Sequence, residues 1–523
     1  MKYLLKLFFI LILNVSLYAQ PTIEWWKSLG DSMYAFDYCY GACLAHDGGY
    51  LLTGSTQDYL EGMNHGLNDF WVVKLSDTGG VQWNKCYGGS GNEIARSILP
   101  TADGGYIMGG GTYNSNDGDL SDNPYTNAIC GWIVKIDGIG NLEWQKCVCD
   151  TPNSVEFFEV QPTADSGYIA AGYITNFLFV NNNNYLDYKA LITKFSSNGE
   201  IKWQREFGGS DKEIARHIEP TRDGGYIAVG YTYSNDGDLG CNYGDVDVWI
   251  LKLDSLGYIQ WQQCIGGSWE DSPFCITQTS NGGYIVSGNT LSSDGDFPLH
   301  YGVYDAFLAK LSPTGNIEWV KTYGGSFDDA FISIIQSQDG NFIAAGYSES
   351  NDNDVHGNHG AYDVWLVKID TTGHIIWSKC YGTVDLDWAT VVKQTSNNSF
   401  FIAGTHQFRV PDSYYTDMFD YYCHFYALKL SPEVGIAENT IMPIEPLCYP
   451  NPASSEIHIR IRDKLYGKYT VTLYNMQGKP IQQITTSEPE TTLDISQLPQ
   501  GVYTIRVLGN NMVRSERVVK SQK

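Results

Sequence analysis

The stretch EIARHIEPTRDGGYIAVGYT at residues 213–232, completed by DVWILKLDSLGYIQWQQCIGG at 247–267, decides the fold. EIARHIEPT alternates apolar and polar residues and ends at Asp223-Gly224-Gly225, a tight-turn signal. YIAVGYT reads as a second short strand. A longer polar loop leads to DVWILKLD as a third, and a turn closed by Gly257 gives YIQWQQCIGG as the fourth. Alternation with a period of two, bounded by Asp-Gly and Gly turns, is the mark of hairpins. No segment of comparable length has helical periodicity.

Working outward, the same unit recurs along the chain. A W-x-K/Q tryptophan returns at Trp26, Trp83, Trp144, Trp203, Trp261, Trp319 and Trp377, with the last steps 58 residues long. G-Y-I segments return at Tyr50, Tyr106, Tyr168, Tyr226 and Tyr284, then as Phe342 and Phe400. A lysine strand follows each one, at Lys74, Lys135, Lys194, Lys252, Lys310, Lys368 and Lys429. Self-similarity at a fixed period sets the architecture before any single residue is weighed. Four antiparallel strands over seven units predict an all-β, seven-bladed β-propeller, which leaves only short protected edges.

The ends of the repeat support a ring. The chain enters on TIEWWKSLG, a fourth strand without its first three, and the last unit stops at FYALKLSP, its third strand. The N-terminal strand is therefore expected to close the last blade. A linear solenoid would need capping repeats instead. The expected organisation is a signal peptide at 1–20, the propeller at 21–432, a linker at 433–446, and a small β-sandwich at 447–523.

The formal charge of −26 argues against nucleic acid or an anionic membrane as partner. Residues 447–523 carry a net +4 within that total, an asymmetry that suggests a boundary. Lys2 and Lys6, the apolar run Leu7–Leu13 and the small-residue exit near Ala19 read as a secretory signal. No other segment is long and apolar enough to span a bilayer once that signal is removed.

Twelve cysteines in an exported chain permit disulfides. Cys86, Cys147, Cys264 and Cys380 share one repeat position, too far apart to bond each other and suited to a buried strand face. Cys39–Cys43 is a candidate bridge that spacing alone leaves open. Cys147 and Cys149 lack the second pair a zinc site needs.

Beyond the linker the grammar changes to YPNPASSEIHIRI, YTVTLYNMQGKPI, TTLDISQLPQGVYTIRV and VRSERVVK. With Tyr449-Pro450-Asn451-Pro452, the turn at Gln477-Gly478-Lys479, Leu498 through Tyr503 and a basic tail to Lys523, this segment resembles the type A sorting domain of type IX secretion in Bacteroidota. The resemblance implies export through the periplasm, with the type IX machinery as partner, to the outside or the outer cell surface. The D-x-[FW]-x-x-K-[LI]-[DS]-x-x-G core at Asp247–Gly257, Asp305–Gly315 and Asp363–Gly373 likewise resembles bacterial propeller repeats of exported proteins.

Residues that recur in every unit are expected to be scaffold, so function is sought where the repeat departs from itself. The turns between strands 1–2 and 3–4 share one face of the ring; the longer 2–3 loops and the blade links share the other. On those loops, Asp117/Asp119, Asp236/Asp238, Asp294/Asp296 and Asp352/Asp354 recur, with Asp247, Asp305 and Asp363 following the last three pairs. Hard oxygen donors on glycine-bearing loops suit calcium, the one candidate cofactor, although Asp and Asn also make such turns unaided. The acids at Glu93, Glu213, Asp271, Asp329 and Asp387 are expected to bond backbone or the repeat lysines around the central channel. His356 and His359 lack a third metal ligand.

The seventh unit departs most. Its loop HQFRVPDSYYTDMFDYYCH at 406–424 carries Tyr414, Tyr415, Phe419, Tyr421 and Tyr422, suited to stacking on sugar rings or to a protein contact, or to packing over the closure seam. Hydrolase signatures such as G-x-S-x-G and H-E-x-x-H are missing. The sequence thus points to a non-catalytic propeller binding a glycan or protein partner. A carbohydrate-active propeller enzyme, hydrolase or lyase, and a structural surface-layer component are the alternatives.

Overall fold

The computed structural model describes residues 20–521 apart from 31–35, 58–63, 121–122, 124–127, 150–152, 181–182, 239–241, 412–418, 434–447, 450–452, 461–468, 476–478, 489 and 510–511. The signal-peptide reading therefore lies outside the described residues. The chain divides into two compact units, Met1–Gly435 and Ile436–Lys523.

The first unit is a seven-bladed propeller of four-stranded antiparallel sheets. Blade 1 uses Tyr38–Leu44, Tyr50–Thr56, Asp69–Leu75 and Val81–Tyr87. Blade 7 uses Leu386–Gln394, Phe400–Pro411 and Phe419–Leu430, and its outer strand is Ile23–Leu29 from the other end of the chain. That strand pairs antiparallel with Phe419–Leu430, Lys27 opposite Ala427. The Tyr50 and Phe401 rings stack at 4.0 Å across the closure.

Register corrects one assignment. Each repeat lysine sits opposite its tryptophan, as Lys252 does opposite Trp261, and Lys429 sits opposite Trp25. Trp25, not Trp26, holds the recurring position, and Trp26 is exposed. The doubled Trp25-Trp26 allowed a one-residue slip, which in a strand flips a side chain to the other face.

The third strands of blades 1, 4, 5 and 6 have all seven residues buried, as in Asp247–Leu253, which explains their near-continuous apolar runs. Outer strands such as Ile259–Ile265 are exposed at one end and buried at the other. Blades pack through these middle strands: Ile169 and Ile192 of blade 3 join Ala228, Trp249 and Leu251 of blade 4 in one core. The outer-strand tryptophan reaches the next blade, where a Cβ on Gly257 (φ +81°) would lie 2.8 Å from the Trp203 ring.

The second unit has two antiparallel sheets, one of three strands and one of four, enclosing Ile457, Ile459, Val471, Leu473, Leu493, Ile505 and Val507. No helix among the described residues is long and apolar enough to cross a membrane.

Candidate functional site

The glycine of each second strand creates the site. Gly54, Gly110, Gly172, Gly230, Gly288, Gly346 and Gly404 each face an inner-strand carbonyl so closely that an added Cβ would stand 1.8–2.2 Å from its oxygen. Opposite each glycine the inner strand carries a β-bulge. Ala215 pairs with Gly230 and His217 with Val229, leaving Arg216 unpaired between them. A bulge adds one residue to a strand and re-aims its side chain. The residues so released are Tyr40, Arg96, Phe158, Arg216, Phe274, Ile332 and Thr390.

All seven line a central cavity of about 450 Å³ among the described residues, within the roughly 300–1,000 Å³ of small-ligand pockets. Five form an alternating arc. The Arg96 guanidinium lies 4.7 Å from the Tyr40 ring centre and 5.4 Å from that of Phe158. Arg216 lies 4.8 Å from Phe158 and 5.7 Å from Phe274. Guanidinium–aromatic stacking at such distances is attractive and holds both partners in place. The bulges sit near the start of each inner strand, where Glu213 pairs with Thr232, so the arc lies toward the face that carries the 2–3 loops.

The two arginines differ in their partners. Arg96 pairs with Glu156 at 2.8 Å, and Glu156 also accepts a hydrogen bond from the Tyr173 hydroxyl at 3.0 Å. Among the described residues no carboxylate pairs with Arg216, and burial lowers its pKa. Further along the strands the cavity is lined by Glu159, Gln161, His217, Glu219, Cys275, Thr277 and Lys393. Burial pushes the Glu159 carboxyl up to about 8, against the opposing pull of Lys393. Gln161 donates to it at 2.9 Å. Burial, reinforced by Lys393, holds the His217 imidazole down at about 3, and it pushes the Cys275 thiol up to about 12. Glu219, also raised by burial, accepts from Thr277 at 3.0 Å. At neutral pH the cavity therefore holds a proton-bearing carboxyl and a neutral imidazole beneath two guanidinium groups.

The recurring acids are fully buried supports of the blade links. Glu93 accepts from Gly89 N–H at 2.9 Å and from the Thr112 and Ser115 hydroxyls. Asp271 accepts from Gly267 N–H at 2.8 Å, Asp329 from Gly325 at 2.7 Å, and Asp387 from Thr383 at 2.7 Å and His406 at 2.7 Å. Glu213 accepts from Gly209 at 3.0 Å. The backbone half of the expectation thus fits, but the lysines do not line the channel. Lys74, Lys135, Lys194, Lys252 and Lys368 instead pair at 2.7–3.0 Å with Asp47, Asp103, Asp165, Asp223 and Asp339 of the 1–2 turns. Third-strand geometry carries the lysine past the core to the opposite face of the ring.

The loop acid pairs clamp the same links from the other side. Asp117 accepts from Ser90 N–H, Asp236 from Ser210, Asp294 from Ser268 and Asp352 from Ser326, all at 2.7–2.8 Å. Asp119, Asp238, Asp296 and Asp354 accept from Gly88, Gly208, Gly266 and Gly324. Asp247, Asp305 and Asp363 are fully buried and accept from the backbone of Tyr243, Tyr301 and His359. His359 also bonds Asp363 through Nδ1 at 2.6 Å. Among the described residues no group of three or more His, Cys, Asp or Glu is arranged to hold a metal ion.

Of the blade 7 aromatics, Tyr414 and Tyr415 lie outside the described residues. Phe419 and Tyr421 fall within the strand Phe419–Leu430. Tyr422 is buried, its ring 5.5 Å from Phe36. Cys39 and Cys43 are free and buried, so that candidate bridge does not form; Cys130 bonds Cys149 instead. Cys86, Cys147 and Cys380 are buried and not disulfide-bonded, whereas Cys264 is disulfide-bonded.

With this geometry in hand, the comparisons address the two units separately. Residues 447–521 match the family model described as Secretion system C-terminal sorting domain. The protein is a type IX export cargo. It is delivered to the cell surface or beyond. No curated protein matches the chain. Similar solved structures include a puromycin hydrolase (11% identity, 72% of this chain and 58% of that one, TM-score 0.32). A sucrose complex of a Bombyx mori β-fructofuranosidase mutant aligns at 10% identity over 80% and 84%, TM-score 0.28. A glycoside hydrolase of family 32 from Bifidobacterium adolescentis aligns at 8% identity over 95% of both chains, TM-score 0.27.

Proposed function

We propose that this export cargo is a non-catalytic binding protein that captures a saccharide in the propeller cavity at the cell surface or outside the cell. The observation that carries the reading is the arc Tyr40–Arg96–Phe158–Arg216–Phe274 at one end of a cavity of about 450 Å³. Aromatic faces bury the apolar face of a sugar ring, while the neighbouring guanidinium and amide groups supply directional hydrogen bonds. The arc breaks the repeat at one inner-strand position, where a scaffold would keep one residue type. Binding of the full-length chain to a glycan array tests this. The expected result is a defined set of retained glycans, lost when Phe158 is changed to alanine. Retention by protein ligands alone would remove the saccharide reading.

A second reading, a glycan-cleaving enzyme, draws on Glu159. Its carboxyl keeps a proton at neutral pH, as a general acid must, and Glu219 lines the same cavity. Release of new reducing ends from a retained glycan, abolished by Glu159→Gln, would favour this reading over simple capture.

A further inference from the structure

Resting on the saccharide reading, we propose that the cavity selects an anionic sugar, with the ring against Phe158 and Phe274 and its carboxylate or sulfate on Arg216. The two arginines make the distinction. Arg96 spends its charge on Glu156, which Tyr173 orients from the other side. Arg216 has only ring faces beside its guanidinium, Phe158 at 4.8 Å and Phe274 at 5.7 Å, and donates no hydrogen bond to a protein acceptor among the described residues. A guanidinium held between two rings, with no protein acceptor for its N–H groups among the described residues, keeps those donors available to an anion, so little order remains to be imposed on binding.

No carboxylate among the described residues pairs with that charge, and Glu156, which acts on it at longer range, is held by Arg96. Lys393, from the inner strand of blade 7, lines the same cavity and has no ion-pair partner among the described residues. Glu159 stays protonated below about pH 8, which leaves Glu219 as the cavity's other carboxyl. The chain as a whole carries −26, so a locally positive cavity does not follow from composition. A cleft lined by one sign of charge concentrates such a field on whatever enters it. Neutral sugars would leave the Arg216 guanidinium buried without a partner, an outcome that costs binding free energy.

Titration calorimetry of the full-length chain tests the inference. The ligands are galacturonate, glucuronate and sialyl oligosaccharides paired with their methyl esters, and sulfated disaccharides paired with desulfated forms. At least one acid should bind about tenfold or more tightly than its neutral partner. The carboxylate and sulfate arms show which anion is used. Arg216→Met, which keeps the side-chain stem, should erase that difference without changing the melting temperature by more than a few degrees. Arg96→Met should retain most of the preference. If R216M unfolds the chain, Arg216→Lys serves instead: it keeps a charge but loses the planar fork, and a severalfold loss of acid binding is expected. Equal binding of acid and neutral partner, or an unchanged preference in R216M, overturns the anionic assignment while the saccharide reading stands. Failure of every saccharide to bind overturns both.

Discussion

The Ile214 carbonyl oxygen approaches Gly230 so closely that a Cβ there would stand 2.0 Å from it. That approach accompanies the bulge that frees Arg216. It makes the glycine of the second strand a determinant of the cavity although it never touches it.

Gly230→Ala should therefore destabilise the propeller strongly, by about 3 kcal/mol or more, because the colliding atom is backbone and cannot rotate away. Gly224→Ala is the control. Gly224 has φ +82° with nothing within 4 Å of an added Cβ, so only conformational strain of about 1 kcal/mol applies. Equilibrium denaturation of both variants checks the order; equal losses would contradict the steric account.

Stability should peak on the acid side of neutrality. Asp103, Asp223 and Asp339, each hydrogen-bonded by a buried repeat lysine and a turn hydroxyl, are held down at about 2 against an ordinary 3.8. Their folded values lie below the unfolded ones, so their stabilisation is present above pH 4 and lost as pH falls toward 2. Asp271, Asp247 and Asp329 move the other way, raised by burial to about 6, 7 and 7. There the folded state holds protons more tightly, so stability falls as pH rises from 4 to 7. Melting temperatures from pH 2 to 8 should show a maximum near pH 4–5; a monotonic rise to pH 8 would rule the second set out.

Calcium should leave the melting temperature unchanged within about a degree. The loop carboxylates of Asp117, Asp236, Asp294 and Asp352 already hold backbone N–H groups of the blade links. Asp294→Ala should lower the melting temperature slightly through lost hydrogen bonds to Ser268, equally with calcium or with chelator. A calcium-dependent cost would support the metal reading.

Binding of an anionic sugar should weaken above pH 8. Glu159 faces Lys393, Glu219 and Gln161, with His217 neutral and Cys275 a thiol across that range. Ionising Glu159 adds a negative charge to the cavity, which should lower affinity about tenfold, ~1.4 kcal/mol. Glu159→Gln should bind with a flat profile between pH 6 and 9; a step surviving in that variant would assign the titration elsewhere.

Reducing the Cys130–Cys149 bridge should cost about 3 kcal/mol, from the loop it closes over a separation of 19 residues. Denaturation with and without reductant, in parallel with the double serine variant, measures it.

The architecture was legible because hairpin grammar is local. Asp-Gly turns and alternating strands repeat often enough to identify four strands per blade, and the phase of TIEWWKSLG against FYALKLSP foretold ring closure. The cavity was much less so. Its lining residues sit on bulges, and a bulge breaks the alternation by which strand faces are read. A signal did exist. Three residues after the recurring inner-strand acid stand Arg96, Arg216, Phe274, Ile332 and Thr390, a position whose residue type changes around the ring while the acid recurs. The aromatic cluster at 414–422 is a louder departure from the repeat than any single inner-strand position. The Lys–Asp pairs were missed for another reason: both members recur, and recurrence alone does not show which face a strand presents.

Pairing Ile23–Leu29 with Phe419–Leu430 joins the first strand of the propeller to its last. A chain emerging from its N-terminus carries that opening strand unpaired while the whole array is made. Some 400 residues of intervening sequence must be ordered before the contact repays the entropy of closing so long a loop. The final blade becomes complete only about 17 residues before the segment that addresses the chain for export begins at 447. The strand that completes the ring and the export address thus lie side by side in the chain, and a truncation upstream of Leu430 removes both.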